Sequence, residues 1–145
     1  MEASLPKISL AFPDEPPPVK IKVLLVEDHA LVRQGLRSVL DSYPDLEVAE
    51  ASNGGEAVAV LETFKPSVVI IDINMPGKNG VQTTIEIKTD YPHIKVIGLS
   101  VDSDALIRDA MSKAGAAKVL SKETAFDELY PAIRSVLGKE SSACH

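Results

Sequence analysis

The chain has 145 residues, 45% of them hydrophobic and 25% charged, which suits one well-buried domain and is too short for two ordinary ones. No apolar run approaches the roughly 20 residues that cross a bilayer, and the single cysteine, Cys144, excludes an intrachain disulfide, so we expect an intracellular, cytoplasmic protein. The formal net charge of −6 argues against nucleic-acid binding by this segment itself, because neutralising phosphates needs a concentrated basic face.

Both ends of the chain read as tails. Residues 1–19 hold five of the ten prolines, including Pro16-Pro17-Pro18, and predict an extended, poorly ordered leader. Residues 20–138 form the predicted domain. Residues 139–145 fit either a free end or the start of an interdomain linker.

Strand-like and helix-like patterns alternate through the domain and favour an α/β fold with a parallel sheet and right-handed crossovers. Predicted strands cover 21–26, 47–51, 68–73, 95–99 and 118–120, and predicted helices cover 30–42, 55–64, 81–89, 105–114 and 126–137.

Two helices carry apolar stripes that we expect to be buried. The stripes contain Leu31, Val32, Gly35, Leu36, Val39 and Leu40 in the first helix, and Phe126, Leu129, Tyr130, Ile133, Val136 and Leu137 in the last. Gly115 and Gly138 stand where helix ends favour glycine.

The apolar run Val68-Val69-Ile70-Ile71 delivers a single carboxylate, Asp72, to a Pro/Gly loop. Such a run predicts a strand covered on both faces, and open parallel sheets bind ligands outside the carboxyl ends of their strands. Asp72 is therefore positioned as a functional residue.

Other polar residues follow strands in the same way: Glu27, Asp28, Ser100 and Lys122. In a sheet of order 2-1-3-4-5 the first and third strands are neighbours, so Glu27, Asp28 and Asp72 converge. Clustered carboxylates need a compensating cation, and oxygen ligands favour Mg²⁺. Lys122 and Ser100 are suited to hold phosphoryl oxygens, an arrangement that suits an aspartyl phosphate.

At this point the chain resembles the receiver domains of two-component response regulators, over roughly residues 20 to 138. The resemblance rests on Val26-Glu27-Asp28-His29, Asp72-Ile73-Asn74-Met75-Pro76-Gly77, Leu99-Ser100, Gly115-Ala116 and Leu120-Ser121-Lys122. The segment Val32-Arg33-Gln34-Gly35-Leu36 is most similar to the corresponding segment of receivers that precede a C-terminal LuxR/NarL-type helix-turn-helix domain.

The resemblance implies a flavodoxin-like three-layer fold with strand order 2-1-3-4-5. It implies that Asp72 takes a phosphoryl group from a histidine kinase or phosphotransfer protein, and that Mg²⁺ binds Glu27, Asp28, Asp72 and the Asn74 backbone carbonyl. Ser100 and Lys122 would bind the phosphoryl group and switch a surface of the fourth helix, fifth strand and fifth helix for homodimerisation or effector binding. Such a domain is a phosphoacceptor with at most slow self-dephosphorylation, not an enzyme.

Three positions depart from the family pattern: Val119, Val101 and Glu27, which replaces an aspartate that is often first in the acidic pair and still supplies an oxygen ligand. Val119 stands where an aromatic switch residue is usual, and Val101 is larger than the usual alanine or glycine and predicts slow phosphorylation by small donors. Asp102, like Asn74, either tunes attack by water on the phosphoryl group or is an ordinary loop residue. His29, His93 and His145 lack metal-ligand spacing and are expected to be exposed, although His29 sits beside the acidic pair.

Other functions remain open from the sequence. A phosphorylation-independent pseudo-receiver that acts as an interaction module is the main rival. An aspartyl-nucleophile phosphatase would want an acid at Asn74, and a dinucleotide-binding domain would want glycines where Glu27-Asp28 stands. Either a receiver cut from a longer transcription regulator or a stand-alone receiver fits the C-terminal end.

Overall fold

The computed structural model describes residues 20–75, 77, 79–101 and 105–143 as alternating strands and helices. The strands are β1 (Ile21–Val26), β2 (Leu46–Ala51), β3 (Val68–Asp72), β4 (Lys95–Ser100) and β5 (Lys118–Ser121). The helices are α1 (Ala30–Asp41), α2 (Gly54–Phe64), α3 (Gly80–Asp90), α4 (Ala105–Ala114) and α5 (Ala125–Ala143).

The five strands form one parallel sheet in the order β2-β1-β3-β4-β5, as predicted. β1 and β3 are hydrogen-bonded neighbours although α1, β2 and α2 lie between them in the chain. The strand order therefore reverses beside β1, and this is the edge at which open α/β sheets bind ligands.

Helices cover both faces of the sheet and produce two separate apolar cores. Leu25, Ile70 and Leu99 point to the side of α1 and α5, where Leu36, Leu40, Leu129 and Ile133 pack against them. The opposite core holds Leu24, Val69, Ile71 and Val96 together with Leu61, Ile87 and Met111 from α2, α3 and α4. β3 is buried along its whole length, which explains its unbroken apolar sequence.

Two residues of the predicted stripes are exposed instead. Leu31 is 82% exposed because it lies about 140° around α1 from Leu36 at 3.6 residues per turn, away from the sheet. Phe126 is in phase with the buried stripe of α5 but lies in the first turn, where its ring packs against Gly35 of α1 and stays 45% exposed.

The last helix differs most from its predicted bounds. α5 passes through Gly138 and ends at Ala143, so the prediction that it stops near residue 137 is wrong. Pro131 lies inside α5. Gly115, by contrast, follows α4 with a φ of +112°, the left-handed conformation that favours glycine at a helix end.

Several predictions fall on residues outside the described ranges: the leader 1–19, the tuning residue Asp102, and the terminal pair Cys144 and His145. Within the described ranges, none of the helices combines the length and the hydropathy of a transmembrane segment.

Candidate functional site

The register of the sheet brings Glu27 and Asp72 together. Val26 of β1 pairs with Ile71 of β3, so the next residue of each chain segment, Glu27 and Asp72, emerges at the same edge. Both carboxylates are fully buried. Two buried acids at one sheet edge are costly unless cations or hydrogen bonds compensate them.

Lys122 provides part of that compensation from the residue after β5. Its Nζ lies 3.0 Å from Asp72 Oδ2, 3.2 Å from Glu27 Oε2 and 3.1 Å from Glu27 Oε1. The side chain of Lys122 is only 14% exposed, so water screens these contacts weakly. The sequence prediction that Lys122 acts together with Asp72 therefore has a geometric basis.

The surroundings of this triad shift two pKa values. Burial, and then the negative charge of Asp72, raise the pKa of Glu27 above its ordinary 4.5, although a backbone hydrogen bond from His29 and the ammonium of Lys122 oppose the shift. Burial alone would lower the pKa of Lys122, but its hydrogen bonds to Asp72 and Glu27 outweigh burial and raise that pKa above 10.5. Lys122 thus stays charged.

Asp28 and His29 complete the acidic side of the site. His29 Nδ1 lies 3.3 Å from Glu27 Oε2 and 3.4 Å from Asp28 Oδ1, and the His29 amide donates a hydrogen bond to Glu27 Oε2. Glu27, Asp28, His29 and Asp72 each place one donor atom within 4.8 Å of the others. This cluster contains the three carboxylates predicted to converge, with an imidazole in addition.

Two oxygens of the cluster have unused acceptor capacity. Among the described residues, nothing donates a hydrogen bond to the buried atoms Glu27 Oε1 and Asp28 Oδ1, although Lys122 Nζ is close to the first of them. Buried polar atoms without such a partner often mark a place for an ion or water. The donor set therefore fits a cation at this edge of the sheet.

The loop after β3 is folded back onto Asp72. The Asn74 amide donates a hydrogen bond of 3.0 Å to Asp72 Oδ1, and Asn74 itself is exposed. A ligand role for the Asn74 carbonyl stays a prediction. The following helix, α3, lies close to the loop because the Gly80 amide donates a hydrogen bond to the Ile73 carbonyl. Asn79 caps α3 reciprocally: the Gln82 amide donates to Asn79 Oδ1, and the Asn79 amide donates to Gln82 Oε1.

Ser100 is the buried last residue of β4, level with Ser121 of β5. Its carbonyl accepts a hydrogen bond from the Lys122 amide at 2.9 Å, which ties the predicted switch residue to the lysine. Val101 follows Ser100 and is 57% exposed. Val119 is half-buried, and its carbonyl accepts a hydrogen bond from Arg108 of α4 at 3.0 Å.

Arg33 is a site residue to which the sequence reasoning gave no role. From α1 its Nη1 donates a hydrogen bond of 2.7 Å to the Glu27 carbonyl, and its Nε donates one of 2.9 Å to Glu50 Oε1 on β2. Arg33 therefore anchors the backbone that carries the acidic pair. In the sequence, the only sign of this role is that Arg33 lies one helical turn after His29. That spacing does not reveal which backbone carbonyl Arg33 would bind.

A doubly wound sheet of this order, with an acidic pocket and a lysine at the switch point, defines an α/β domain whose donor set at that point fits a cation. Comparison with known sequences agrees: the response regulator receiver domain family matches residues 23–134. This chain belongs to that family.

Its relatives are transcription and response regulators. The chain is 41% identical to the response regulator UvrY of Escherichia coli, over 80% of this chain and 54% of that protein. It is 37% identical to the transcriptional regulatory protein DegU of Brevibacillus brevis, over 81% of this chain and 50% of that protein. The chain thus spans about half the length of these relatives.

Solved structures show the same fold. A LuxR-family response regulator of Aurantimonas sp. superposes with a TM-score of 0.78 at 26% identity, covering 83% of this chain and 86% of that one. The receiver domain of a putative NarL of Mycobacterium tuberculosis gives a TM-score of 0.76 at 27% identity, covering 82% and 97% of the two chains.

Proposed function

We propose that Asp72 accepts a phosphoryl group from the phosphohistidine of a sensor kinase or phosphotransfer protein, and that the domain is the receiver of a two-component system in the cytoplasm. The observation that carries the proposal is the buried Asp72 carboxylate at the switch edge, with Lys122 Nζ at 3.0 Å and a carboxylate pair beside it. An aspartate with a purely structural role needs neither a lysine ammonium at this distance nor a pair of carboxylates beside it.

The transfer forms one bond and breaks one. An Asp72 oxygen bonds to phosphorus while the nitrogen–phosphorus bond of the donor breaks, and the donor imidazole leaves with the electron pair and takes up a proton. The phosphoryl group carries about two negative charges, but Asp72 loses the charge of its carboxylate when the bond forms, so Lys122 then faces about one additional negative charge. Its ammonium, 3.0 Å from Asp72 Oδ2, would contact an oxygen of that group. The Ser100 hydroxyl, at the end of β4, is the nearby neutral donor that we assign to a second oxygen.

The acidic pocket needs a cation before another anion can enter it. Mg²⁺ held by Glu27, Asp28, Asp72 and the Asn74 carbonyl would neutralise the pocket and bind phosphoryl oxygens. Glu27 Oε1 and Asp28 Oδ1, the buried acceptors described above, support this assignment. Arg33 keeps the acidic pair in place through the Glu27 carbonyl.

Phosphorylation would shift a two-state equilibrium of the β4 and β5 ends. Ser100 and Lys122 are joined through the 2.9 Å backbone hydrogen bond, so a movement of either end reaches α4, β5 and α5. We assign homodimerisation or effector binding to that surface. Since the matched segment covers half of DegU, a relative named a transcriptional regulatory protein, transcription control through a further domain is the proposed output, with no direct DNA contact by this segment.

Mass spectrometry after incubation with Mg²⁺ and acetyl phosphate tests the proposal. We expect a gain of one phosphoryl group that Asp72→Asn abolishes and that Asp109→Asn, an exposed substitution on α4, leaves intact. Beryllofluoride binding that depends on Asp72 is the second readout. If no adduct and no Mg²⁺ affinity are found, the domain is a pseudo-receiver and Asp72 is not a phosphoacceptor. Slow loss of the adduct would measure self-dephosphorylation.

A further inference from the structure

The acidic pocket contains a ligand type that magnesium does not favour. His29 is largely exposed, but its Nδ1 faces inward and lies 3.3 Å from Glu27 Oε2 and 3.4 Å from Asp28 Oδ1. Imidazole nitrogen suits zinc, cobalt, nickel and copper ions, whereas magnesium favours oxygen and water. His29 is exposed, as the sequence predicted, and its position beside the acidic pair brings its imidazole close to both carboxylates.

Two distances in this cluster match neighbouring ligands of one small metal ion. Zinc binds nitrogen and carboxylate oxygen at about 2.0 to 2.2 Å, so two ligands at a tetrahedral angle lie about 3.3 to 3.5 Å apart. The two distances from His29 Nδ1 fall in that interval. Asp72 supplies a fourth donor atom within 4.8 Å of the others.

A second observation is that two oxygens at this edge have no hydrogen-bond donor among the described residues. Within the described part of the chain, Glu27 Oε1 and Asp28 Oδ1 are buried and receive no hydrogen bond. Lys122 Nζ, 3.1 Å from Glu27 Oε1, is the charge with which a bound cation must compete. Lys122 Nζ also lies 3.2 Å from Glu27 Oε2, so this competition acts at both oxygens of Glu27 and limits the affinity.

We propose that His29, Glu27 and Asp28 form a second coordination mode of this pocket, which binds borderline divalent ions such as Zn²⁺ and Co²⁺ through His29 Nδ1 in competition with Mg²⁺. The inference rests on the cation pocket of the proposed function and adds to it a choice of metal. His29 is the residue that makes the choice, because the remaining ligands are oxygen atoms common to both modes.

The test compares affinities for the two kinds of ion in the untagged protein. Cys144 and His145 could bind zinc by themselves, so the parent protein carries Cys144→Ser and His145→Gln. Calorimetry with Mg²⁺, and competition with a chromophoric chelator for Zn²⁺ and Co²⁺, are carried out on the parent and on His29→Gln. His93→Gln, in the exposed turn before β4 at the opposite edge of the sheet, is the matched control.

We expect His29→Gln to weaken Zn²⁺ and Co²⁺ binding by about tenfold or more, the size typical of losing support at a metal site, while Mg²⁺ affinity changes by less than about threefold. His93→Gln should leave the affinities for all three ions unchanged. In the parent, Zn²⁺ should shift the ¹⁵N resonance of the His29 Nδ1 atom, a readout that a merely positional role would not produce.

Two results would overturn the inference. Unchanged Zn²⁺ affinity in His29→Gln would show that the imidazole is not a ligand, and an equal loss of Zn²⁺ and Mg²⁺ affinity would show that His29 only positions the carboxylates. If the parent binds neither ion, the cation pocket of the proposed function fails as well. If the parent binds Mg²⁺ normally and either of the first two results is found, only the role of His29 is rejected.

Discussion

Lys122 Nζ lies 3.0 Å from Asp72 Oδ2, although fifty residues separate the two in the chain. The contact joins the ends of β3 and β5, which are not neighbours in the sheet because β4 lies between them. Lys122 crosses the end of β4 while its own amide holds the Ser100 carbonyl. A change in charge at Asp72 therefore acts directly on Lys122 at the end of β5, and through the backbone hydrogen bond of Lys122 on the end of β4.

Glu27→Gln should stabilise the metal-free domain. Burial and the charge of Asp72 raise the pKa of Glu27. The stability that the protonated Glu27 carboxyl contributes is therefore fully present below pH 4.5, and it is lost as the pH rises through the raised pKa. At about pH 7 the ionised carboxylate therefore costs stability, and the neutral amide should add about 1 kcal/mol to the free energy of unfolding.

Urea unfolding with and without Mg²⁺ measures the effect of Glu27→Gln. The gain should shrink as the pH falls towards 4.5, and Mg²⁺ should stabilise the variant less than the parent. Glu47→Gln, at an exposed position of β2, should change stability by less than about 0.5 kcal/mol. A less stable Glu27→Gln variant would mean that the ion pair with Lys122 outweighs the burial cost.

Val101→Ala should speed phosphorylation by acetyl phosphate. Val101 directly follows Ser100 and is 57% exposed, so we expect its branched side chain to narrow the approach of a small donor to Asp72. We expect a rate increase of about twofold to tenfold, which corresponds to at most about 1.4 kcal/mol of barrier. Ile85→Ala, which shortens a half-exposed side chain on α3, is the control. An unchanged rate for Val101→Ala would reject the steric explanation.

Gly80→Ala should destabilise the domain because the added methyl group has no space. A Cβ at Gly80 would lie 2.6 Å from Ile73 Cα and 2.7 Å from the Asp72 carbonyl oxygen, and neither backbone atom can move without shifting the site. Chemical denaturation should show a loss of about 1–3 kcal/mol, and Mg²⁺ affinity should fall. A fully stable variant with normal Mg²⁺ binding would show that the loop after β3 adapts.

Gly138→Ala provides the opposite expectation within the same fold. Apart from the neighbouring residues and nearby backbone of the helix itself, no heavy atom of the described residues lies within 4 Å of a Cβ at Gly138, which stands inside α5. Alanine should therefore add up to about 1 kcal/mol through helix propensity. A destabilised variant would indicate that α5 ends before residue 138, as the sequence alone suggested.

The parts of the site that the sequence predicted are those that depend on strand ends. Asp72, Glu27 and Lys122 each follow an apolar run, and parallel strands bring such positions to one edge whatever the side-chain details. Arg33 and His29 are different, because their roles depend on rotamers and on acceptors from other segments. Leu31 and Gly138 show the same limit: the predicted apolar stripe of α1 was too wide, and the glycine preference of helix ends did not decide where α5 ends.

Tyr130→Phe should lower stability in a pH-dependent way, because Tyr130 fastens α5 to the α1–β2 connection. Its hydroxyl donates a hydrogen bond of 2.6 Å to Asp45 Oδ2, and its ring stacks on Tyr43 with centroids 3.8 Å apart. The hydrogen bond to Asp45, followed by burial and the charge of Asp45, raises the pKa of Tyr130 above its ordinary 10.0. The stability that the protonated Tyr130 hydroxyl contributes is therefore fully present below pH 10.0, and it is lost as the pH rises through the raised pKa.

Thermal unfolding of the parent, Tyr130→Phe and Asp45→Asn between about pH 7 and pH 11 tests this linkage. The Tm of Tyr130→Phe should be a few degrees lower than that of the parent at neutral pH, and the difference should narrow above pH 10.0 because the parent loses the donated proton. In the Asp45→Asn background the Tyr130→Phe effect should be smaller, since the charged acceptor is gone. A difference in Tm that stays constant across the range would mean that Tyr130 contributes through ring stacking alone.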